Sequence, residues 1–280
     1  MFKIAHKQRL NPTVTRMEIE APLIARKAEP GQFIILRVDE NGERFPLTIA
    51  DTDRENGLVS IIFQLVGAAT EALNHKNEGE YIQDFVGPLG SPTHTEGLKR
   101  VAIIGGGVGC AIAYPVAKKL HEQGCEVTSI VGFRNRELLI LEDEFKAASA
   151  RYIVKTDDGS YGTKGLVTDA LRELLEAGET FDEVIAIGPL IMMKFVCALT
   201  KEFGVKTTVS MNPIMIDGTG MCGGCRLTVG GVTKFACVDG PDFDGHLVDF
   251  DEAMQRSRTY YDFERKAHEE TCNLFQKEAK

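Results

Sequence analysis

The chain has 280 residues, 43% hydrophobic and 26% charged, with a formal net charge of −9 at pH 7. That suffices for a sizeable core and about two or three domains, and the acidic balance without a basic face argues against a nucleic-acid partner. No apolar run reaches membrane-spanning length, and the opening MFKIAHKQRL carries no apolar signal core, so the expectation is a cytoplasmic protein with no membrane span.

Residues 1–97 read as short alternating strands, among them Thr13–Ile19, Gln32–Val38 and Leu58–Leu65, punctuated by Pro30-Gly31, Asn41-Gly42 and Asn56-Gly57. Those dipeptides favour tight turns between antiparallel strands, and the pattern predicts a small antiparallel barrel. Within it, Arg44-Phe45-Pro46-Leu47-Thr48 offers a guanidinium for a pyrophosphate, a rigid turn and a strand-end hydroxyl. A surface arginine before an edge proline is the plainer reading of the same residues. Gly67 opens a helix predicted over Ala68–Asn77, and Thr70 lies in its first turn, where free backbone N–H groups suit a phosphate. Phe85–Gly90 makes a tight turn that ends the domain.

From Arg100 the texture changes. Val101–Ile104 is a continuous apolar run, as expected of a buried parallel strand, and Gly105-Gly106-Gly107-Val108-Gly109 follows at once before a helical pattern over Cys110–Gln123. Strand, glycine turn and helix are the context a dinucleotide site requires, although Cys110 stands where the usual fingerprint has its last glycine. No acidic residue follows the next strand, Glu126–Val131; Phe133, Arg134, Asn135 and Arg136 stand there instead. Arg134 and Arg136 suit a 2′-phosphate, and they equally suit an exposed helix start. Glu137–Ala150 then reads as helix, Tyr152–Lys155 as strand, Val167–Glu176 as helix, Glu183–Ile187 as buried strand, Ile191–Phe203 as helix and Thr207–Met211 as a last strand. Ligands on open α/β sheets sit beyond the carboxyl ends of strands, where Gly105–Gly109, Asp157–Ser160 and Gly188-Pro189-Leu190 all fall. A solvated turn also accounts for Asp157 and Asp158.

The last part of the chain carries the most specific chemistry. Asp217, Cys222 and Cys225 stand in the pattern D-x4-C-x2-C, and Cys237 follows a hairpin predicted over Arg226–Val229 and Val232–Ala236. This is the plant-type ferredoxin spacing with one thiolate replaced by a carboxylate, so a 2Fe–2S centre held by Asp217, Cys222, Cys225 and Cys237 is expected. Taken alone, the loop also admits a zinc site on the same residues or a redox dithiol. The other four cysteines (Cys110, Cys125, Cys197, Cys272) read as small buried hydrophobes rather than as a disulfide framework. The tail, Asp251–Lys280, is charged and helical in pattern, as expected of a solvated helix that wraps the body or a partner.

In order, RFPLT in a barrel, GGGVG in an α/β domain and a C-terminal CxxC…C loop resemble the ferredoxin–NADP reductase superfamily over nearly the whole chain. The likeness is greatest to the branch holding the electron-transfer subunit of dihydroorotate dehydrogenase and the small subunit of NADH-dependent ferredoxin:NADP oxidoreductase, also called sulfide dehydrogenase small subunit. The resemblance implies a β-barrel plus α/β fold: an antiparallel FAD-binding barrel (1–97), a parallel-sheet NAD(P)-binding domain (98–211) and a 2Fe–2S subdomain with a C-terminal helix (212–280). It implies that Arg44, Pro46, Leu47 and Thr48 hold FAD, with Thr48 near the isoalloxazine edge, and that Gly67 and Thr70 meet the FAD pyrophosphate. Gly105, Gly106, Gly107, Val108 and Gly109, with Gly188 and Pro189, would frame NAD(H). NAD rather than NADP follows from the resemblance only.

Asp217 favours the bifurcating branch, because dihydroorotate dehydrogenase subunits resemble this loop but supply four cysteines. A second departure lies at Cys110–Tyr114: the superfamily's Ala-Pro pair comes sooner after the glycines, whereas here the proline is Pro115. The implied activity is hydride exchange between NAD(H) and FAD, with single electrons passing through the cluster and no general acid, base or nucleophile among the side chains. The implied partner is a larger flavin/iron–sulfur subunit in a heterodimer, with ferredoxin and NADP(H) reached indirectly through it. The rivals are an electron-transfer subunit for dihydroorotate dehydrogenase or a sulfide/polysulfide oxidoreductase, and a zinc-stabilised, flavin-free nucleotide-binding regulatory subunit.

Overall fold

The computed structural model describes residues 1–267. Its first layer is an antiparallel sheet of seven strands: β1 (Phe2–Asn11), β2 (Val14–Glu20), β3 (Phe33–Arg37), β4 (Phe45–Asp53), β5 (Leu58–Gln64), β6 (Tyr81–Ile82) and β7 (Asp84–Leu89). The order is β6-β1-β2-β5-β4-β3-β7. The edge strands β6 and β7 are separated in sequence by Gln83 alone, so the sheet curls into a nearly closed barrel, which removes the exposed edges an open sheet would carry. Alternate residues such as Ile4, Met17, Ile19, Ile34, Leu36, Ile61 and Phe63 fill its interior. Helix α1 (Pro22–Ala25) and helix α2 (Ala68–His75) complete this part.

The second layer is a sheet whose strands run parallel: β8 (Arg100–Gly106), β9 (Glu126–Phe133), β10 (Arg151–Thr156), β11 (Thr163–Lys164), β12 (Glu183–Ile187) and β13 (Thr207–Ser210). Helices α3 (Cys110–Glu122), α4 (Glu142–Ala147), α5 (Val167–Glu176) and α6 (Leu190–Glu202) cover its two faces. Strand β8 shows why its sequence is apolar without alternation. Val101 and Ile103 pack under α3 and α4, whereas Ala102 and Ile104 pack under α5 and α6, so every residue meets a core.

The last part folds as a hairpin of β14 (Arg226–Val229) and β15 (Val232–Phe235), a single turn α7 (Ala236–Asp239), strand β16 (Asp242–Asp244) and helix α8 (Phe250–Arg256). β16 pairs antiparallel with β13, giving the order β11-β10-β9-β8-β12-β13-β16.

Most elements lie within a residue or two of their predicted bounds. Phe85–Gly90, expected as a tight turn, is instead mostly strand β7, paired along β3, and two further differences have a physical cause. The single helix expected over Glu137–Ala150 is a 3-10 turn at Arg136–Leu138 followed by the shorter α4. Leu138, Ile140 and Leu141 are spent on packing beside α3, Leu141 adopts φ 58, and the Leu138 carbonyl accepts the Asn11 amide of the barrel at 3.1 Å. Strand β16 had no counterpart in the sequence pattern. Among the described residues no helix is long and apolar enough to cross a membrane. The tail expected to be helical as far as Lys280, with Cys272, lies outside the described residues beyond 267.

Candidate functional site

A cleft of about 880 Å3 opens at the carboxyl ends of the parallel strands, within the size range of small-molecule sites. Its walls include Gly106, Gly107, Val108 and Gly109 after β8, Arg134 after β9, Asp157 after β10, and Gly188 and Pro189 after β12; the barrel contributes Thr13, Val14 and Gln64. The three strand-end segments singled out in the sequence therefore do converge, through Gly106–Gly109, Asp157 and Gly188-Pro189. Gly105 does not line the cleft. It packs inward, where a Cβ would stand 2.8 Å from the Cys110 sulfur. A Cβ on Gly109 would stand 2.6 Å from the Ile187 carbonyl oxygen and 2.7 Å from Gly188 Cα, so the β8 and β12 turns approach too closely for any side chain there. Helix α3 begins at Cys110 and runs for 13 residues, aiming its free N–H groups and positive dipole end at this turn. Burial pushes the Cys110 thiol far up, so it stays neutral and serves as packing.

Of the two arginines after β9, only Arg134 faces the cleft. The Arg136 guanidinium lies 5.5 Å from the Tyr161 ring centroid, and the Tyr161 hydroxyl donates to Glu142. Thr13, Val14, Gln64, Ser210 and Asn212 line the cleft without having been singled out in the sequence, and their composition carries no signal that would have done so.

The barrel candidates form a separate group off the cleft wall. Pro46, Leu47 and Thr48 lie on β4, opposite Ile35, Ile34 and Phe33 of β3, and all three are half-buried. Arg44 precedes them, and its Nε donates to the Ile216 carbonyl at 3.0 Å, one residue before Asp217. The Thr70 hydroxyl accepts the Val66 and Gly67 N–H groups, each at 3.1 Å, and donates to the Gly67 carbonyl at 2.9 Å. That hydroxyl is committed to capping α2, so the helix offers a phosphate its backbone N–H groups.

The C-terminal loop brings the four metal-ligand candidates together as two pairs. Cys225 and Cys237 are buried with their sulfurs 3.2 Å apart. Asp217 accepts the Thr219 N–H at 3.0 Å and the Cys222 N–H at 2.7 Å, which sets its carboxylate beside Cys222. The Thr219 N–H, ahead of the contacts from Cys222, holds the Asp217 carboxyl below the usual range. Burial, the neighbouring Cys225 and Asp217 push the Cys237 thiol up to about 12. Among the described residues no group of three or more such side chains is already placed around a single metal position. Two ligands for each of two irons is the donor set of a 2Fe–2S cluster, and two pairs are what the loop presents.

This loop is seated on the barrel. A Cβ on Gly218 would meet Leu89 Cδ1 at 2.6 Å and Ile35 Cδ1 at 3.0 Å, and the Ser91 N–H donates to the Gly240 carbonyl at 2.7 Å. Thr93 donates to the buried carboxyl of Asp242 on β16.

Residues 212–249 match the iron–sulfur cluster binding domain of dihydroorotate dehydrogenase B, and residues 103–198 match the oxidoreductase NAD-binding domain. A Thermotoga maritima protein named as a homolog of the dihydroorotate dehydrogenase B (NAD(+)) electron transfer subunit is 48% identical over 95% of this chain and 94% of its own. The chain belongs to this electron-transfer subunit family. The Fusobacterium nucleatum electron transfer subunit is 33% identical over 81% of this chain and 89% of its own. A chain from the structure described as giving insights into flavin-based electron bifurcation via the NADH-dependent reduced ferredoxin-NADP oxidoreductase is 44% identical, with TM-score 0.92 over 96% of this chain and 97% of its own. An Amycolatopsis cytochrome P450 reductase, 23% identical with TM-score 0.60 over 72% of this chain and 64% of its own, shares the fold. This family member is an oxidoreductase electron-transfer subunit with an NAD-binding domain and an iron–sulfur cluster binding domain.

Proposed function

We propose that the chain is the NAD(H)-reacting small subunit of an electron-bifurcating flavoenzyme. A larger flavin/iron–sulfur subunit is its partner, and ferredoxin and NADP(H) react through that partner. The setting is cytoplasmic and the division is 1–97, 98–211 and 212–280. In this reading Arg44, Pro46, Leu47 and Thr48 bear on FAD, and Gly67 and Thr70 shape the α2 N-terminus for its pyrophosphate. Gly106, Gly107, Val108 and Gly109, with Gly188 and Pro189, frame the dinucleotide, and Gly105 packs behind them against Cys110. Asp217 and Cys222 hold one iron, and Cys225 and Cys237 hold the other.

When bound, FAD accepts electron pairs from NADH and the cluster relays them singly. The protein's own contribution is position and charge. Helix α3 turns its N-terminal N–H groups toward the dinucleotide pyrophosphate. Arg44 ties the strand carrying Pro46–Thr48 to the carbonyl preceding Asp217, so one guanidinium links the proposed flavin strand to the metal loop. Cys225 and Cys237 bury their sulfurs away from water, and each sulfur gives up its proton when it ligates metal.

The observation that carries the reading is the Asp217 carboxylate held by the Cys222 N–H in the CxxC loop, beside the Cys225–Cys237 sulfur pair. Purified without oxygen, the wild-type protein should hold two irons and two sulfides per FAD, by the cluster's own stoichiometry. Asp217→Ala should lose iron while keeping FAD, and Asp217→Cys should retain iron with a changed electron paramagnetic resonance signature. Full iron in Asp217→Ala would remove this residue from the ligand set.

The second reading, an electron-transfer subunit serving a dihydroorotate-oxidising partner, is favoured by the iron–sulfur domain match at 212–249. The complex isolated from its native source separates the two. Reduction of ferredoxin and NAD+ by NADPH supports bifurcation, whereas oxidation of dihydroorotate by NAD+ supports the second.

A further inference from the structure

We infer that Arg226 is a positioning residue for the metal loop, acting on Cys222 through the peptide between Gly223 and Gly224. Its guanidinium holds that peptide so that the N–H meets the Cys222 sulfur, which makes the loaded loop easier to reduce by one electron; the inference rests on the ligand set proposed above. Arg226 Nη1 donates to the Gly223 carbonyl at 2.9 Å, and the Arg226 backbone N–H reaches the same oxygen at 3.4 Å. That carbonyl and the Gly224 N–H belong to one planar trans unit, so they point in opposite directions. The Gly224 N–H donates to Cys222 Sγ at 3.5 Å. One peptide therefore connects a fixed positive charge to a proposed metal ligand.

The local sequence explains why the peptide can lie this way. Gly223 adopts φ +66, a region that favours glycine. A Cβ there would stand 3.8 Å from Arg226 Nη1 and 3.8 Å from Phe235 Cε1, so guanidinium and ring together cover that side of the turn. Arg226 opens β14 and pairs with Phe235 of β15, and this ladder fixes the backbone from which the guanidinium reaches back three residues. Among the described residues Arg226 forms no ion pair, whereas Lys234 on the same hairpin is drawn to Asp239 at 3.8 Å. Its charge is committed to the CxxC loop rather than to a surface carboxylate.

Charge decides the direction of the effect. The proposed ligands are a carboxylate and three sulfurs that give up their protons on binding metal, so an added electron enters a strongly anionic site. A guanidinium stays protonated at every working pH and opposes that build-up of negative charge. It also polarises the peptide it holds, which strengthens the N–H bond to the Cys222 sulfur. Hydrogen bonds to ligand sulfurs are among the levers that set the potential of an iron–sulfur centre. Both contributions favour the reduced state.

An anaerobic redox titration of the holoprotein tests this, with the reduced centre followed by electron paramagnetic resonance and iron per protein measured alongside. The proteins are wild type, Arg226→Ala, Arg226→Gln and Arg226→Lys. Arg226→Ala should keep its iron and titrate lower, so that at the wild-type midpoint its reduced-to-oxidised ratio falls about tenfold, or about 59 mV for one electron. Arg226→Lys keeps the charge and should recover most of that shift, whereas Arg226→Gln keeps a donor without charge and should recover less. Should Arg226→Ala lose iron, the order of the Lys and Gln variants decides. Wild-type midpoints in the Ala and Gln variants, or a Gln variant nearer wild type than the Lys variant, would overturn the inference. Iron loss in all three would leave Arg226 a structural role only and overturn it as well. Wild-type protein with no iron-centred signal would instead overturn the ligand set, and this inference with it.

Discussion

Substituting Gly218 by alanine gives the sharpest test of how the metal loop is held. Gly218 sits at φ +75, a region that costs an L side chain about 1–2 kcal/mol. The added Cβ would also stand 2.6 Å from Leu89 Cδ1 and 3.0 Å from Ile35 Cδ1. Ile35 is fully buried in the barrel wall and cannot swing into solvent, so relief falls on Leu89 or on the loop. Overpacking of this kind costs about 1–3 kcal/mol, which makes the whole penalty about 2–5 kcal/mol. At about 1.4 kcal/mol per tenfold, even the lower figure shifts the seated loop against its lifted form by about 30-fold. The penalty is local, since Gly218 lies outside every strand and helix. The variant should bind FAD and NAD+ as wild type does, yet lose its cluster to a chelator at least tenfold faster, read as the fall in visible absorbance and in iron per flavin. Wild-type iron retention in Gly218→Ala would mean that the loop does not depend on its seat against Ile35 and Leu89.

Other perturbations probe different links. Arg44→Ala removes the bond to the Ile216 carbonyl, worth about 1 kcal/mol, and should speed chelator bleaching several-fold while the overall melt stays near wild type; unchanged bleaching would leave that bond without a role. Gly109→Ala forces a Cβ against the Ile187 carbonyl and should weaken NAD+ binding while iron content holds; loss of iron with intact NAD+ affinity would contradict the separation of the two sites. Burial pushes the Asp242 carboxyl up, opposed by the hydrogen bond from Thr93. An acid raised in the folded state keeps its proton while the unfolded chain loses one, so its contribution is greatest below about pH 4 and falls as pH rises toward the folded value. Asp242→Asn should therefore melt progressively higher than wild type as pH is raised from 4 to 8, and a constant difference would show that Asp242 does not titrate across folding.

What the sequence disclosed and what it hid follow one distinction. The heads of β8, α3, β12 and α6 were legible because local chemistry dictates them: an apolar run, glycines in a turn, then helical periodicity. The four metal-ligand candidates were legible because spacing along the chain carries the signal. Strand β16 was not, because three residues with two aspartates make no strand on their own, and only the waiting edge of β13 recruits them. The helix expected over Glu137–Ala150 failed for the converse reason. Its apolar residues have helical spacing but are claimed by the packing beside α3, and Leu141 breaks the backbone direction. Nor does any local pattern reveal that Arg44 bonds to Ile216, 172 positions away, or that Arg136 prefers the Tyr161 ring to the cleft.

Strand β16 follows the metal loop in the chain and yet supplies the last rung of the nucleotide-binding sheet. The loop is thereby anchored downstream of Cys237 to a rigid sheet and at Gly218 to the barrel wall. A swinging-arm scheme, in which the loop detaches to carry charge between stations, would have to break both moorings on every turnover. The architecture instead suits stationary relays, and traffic past them is governed by spacing and potential rather than by travel.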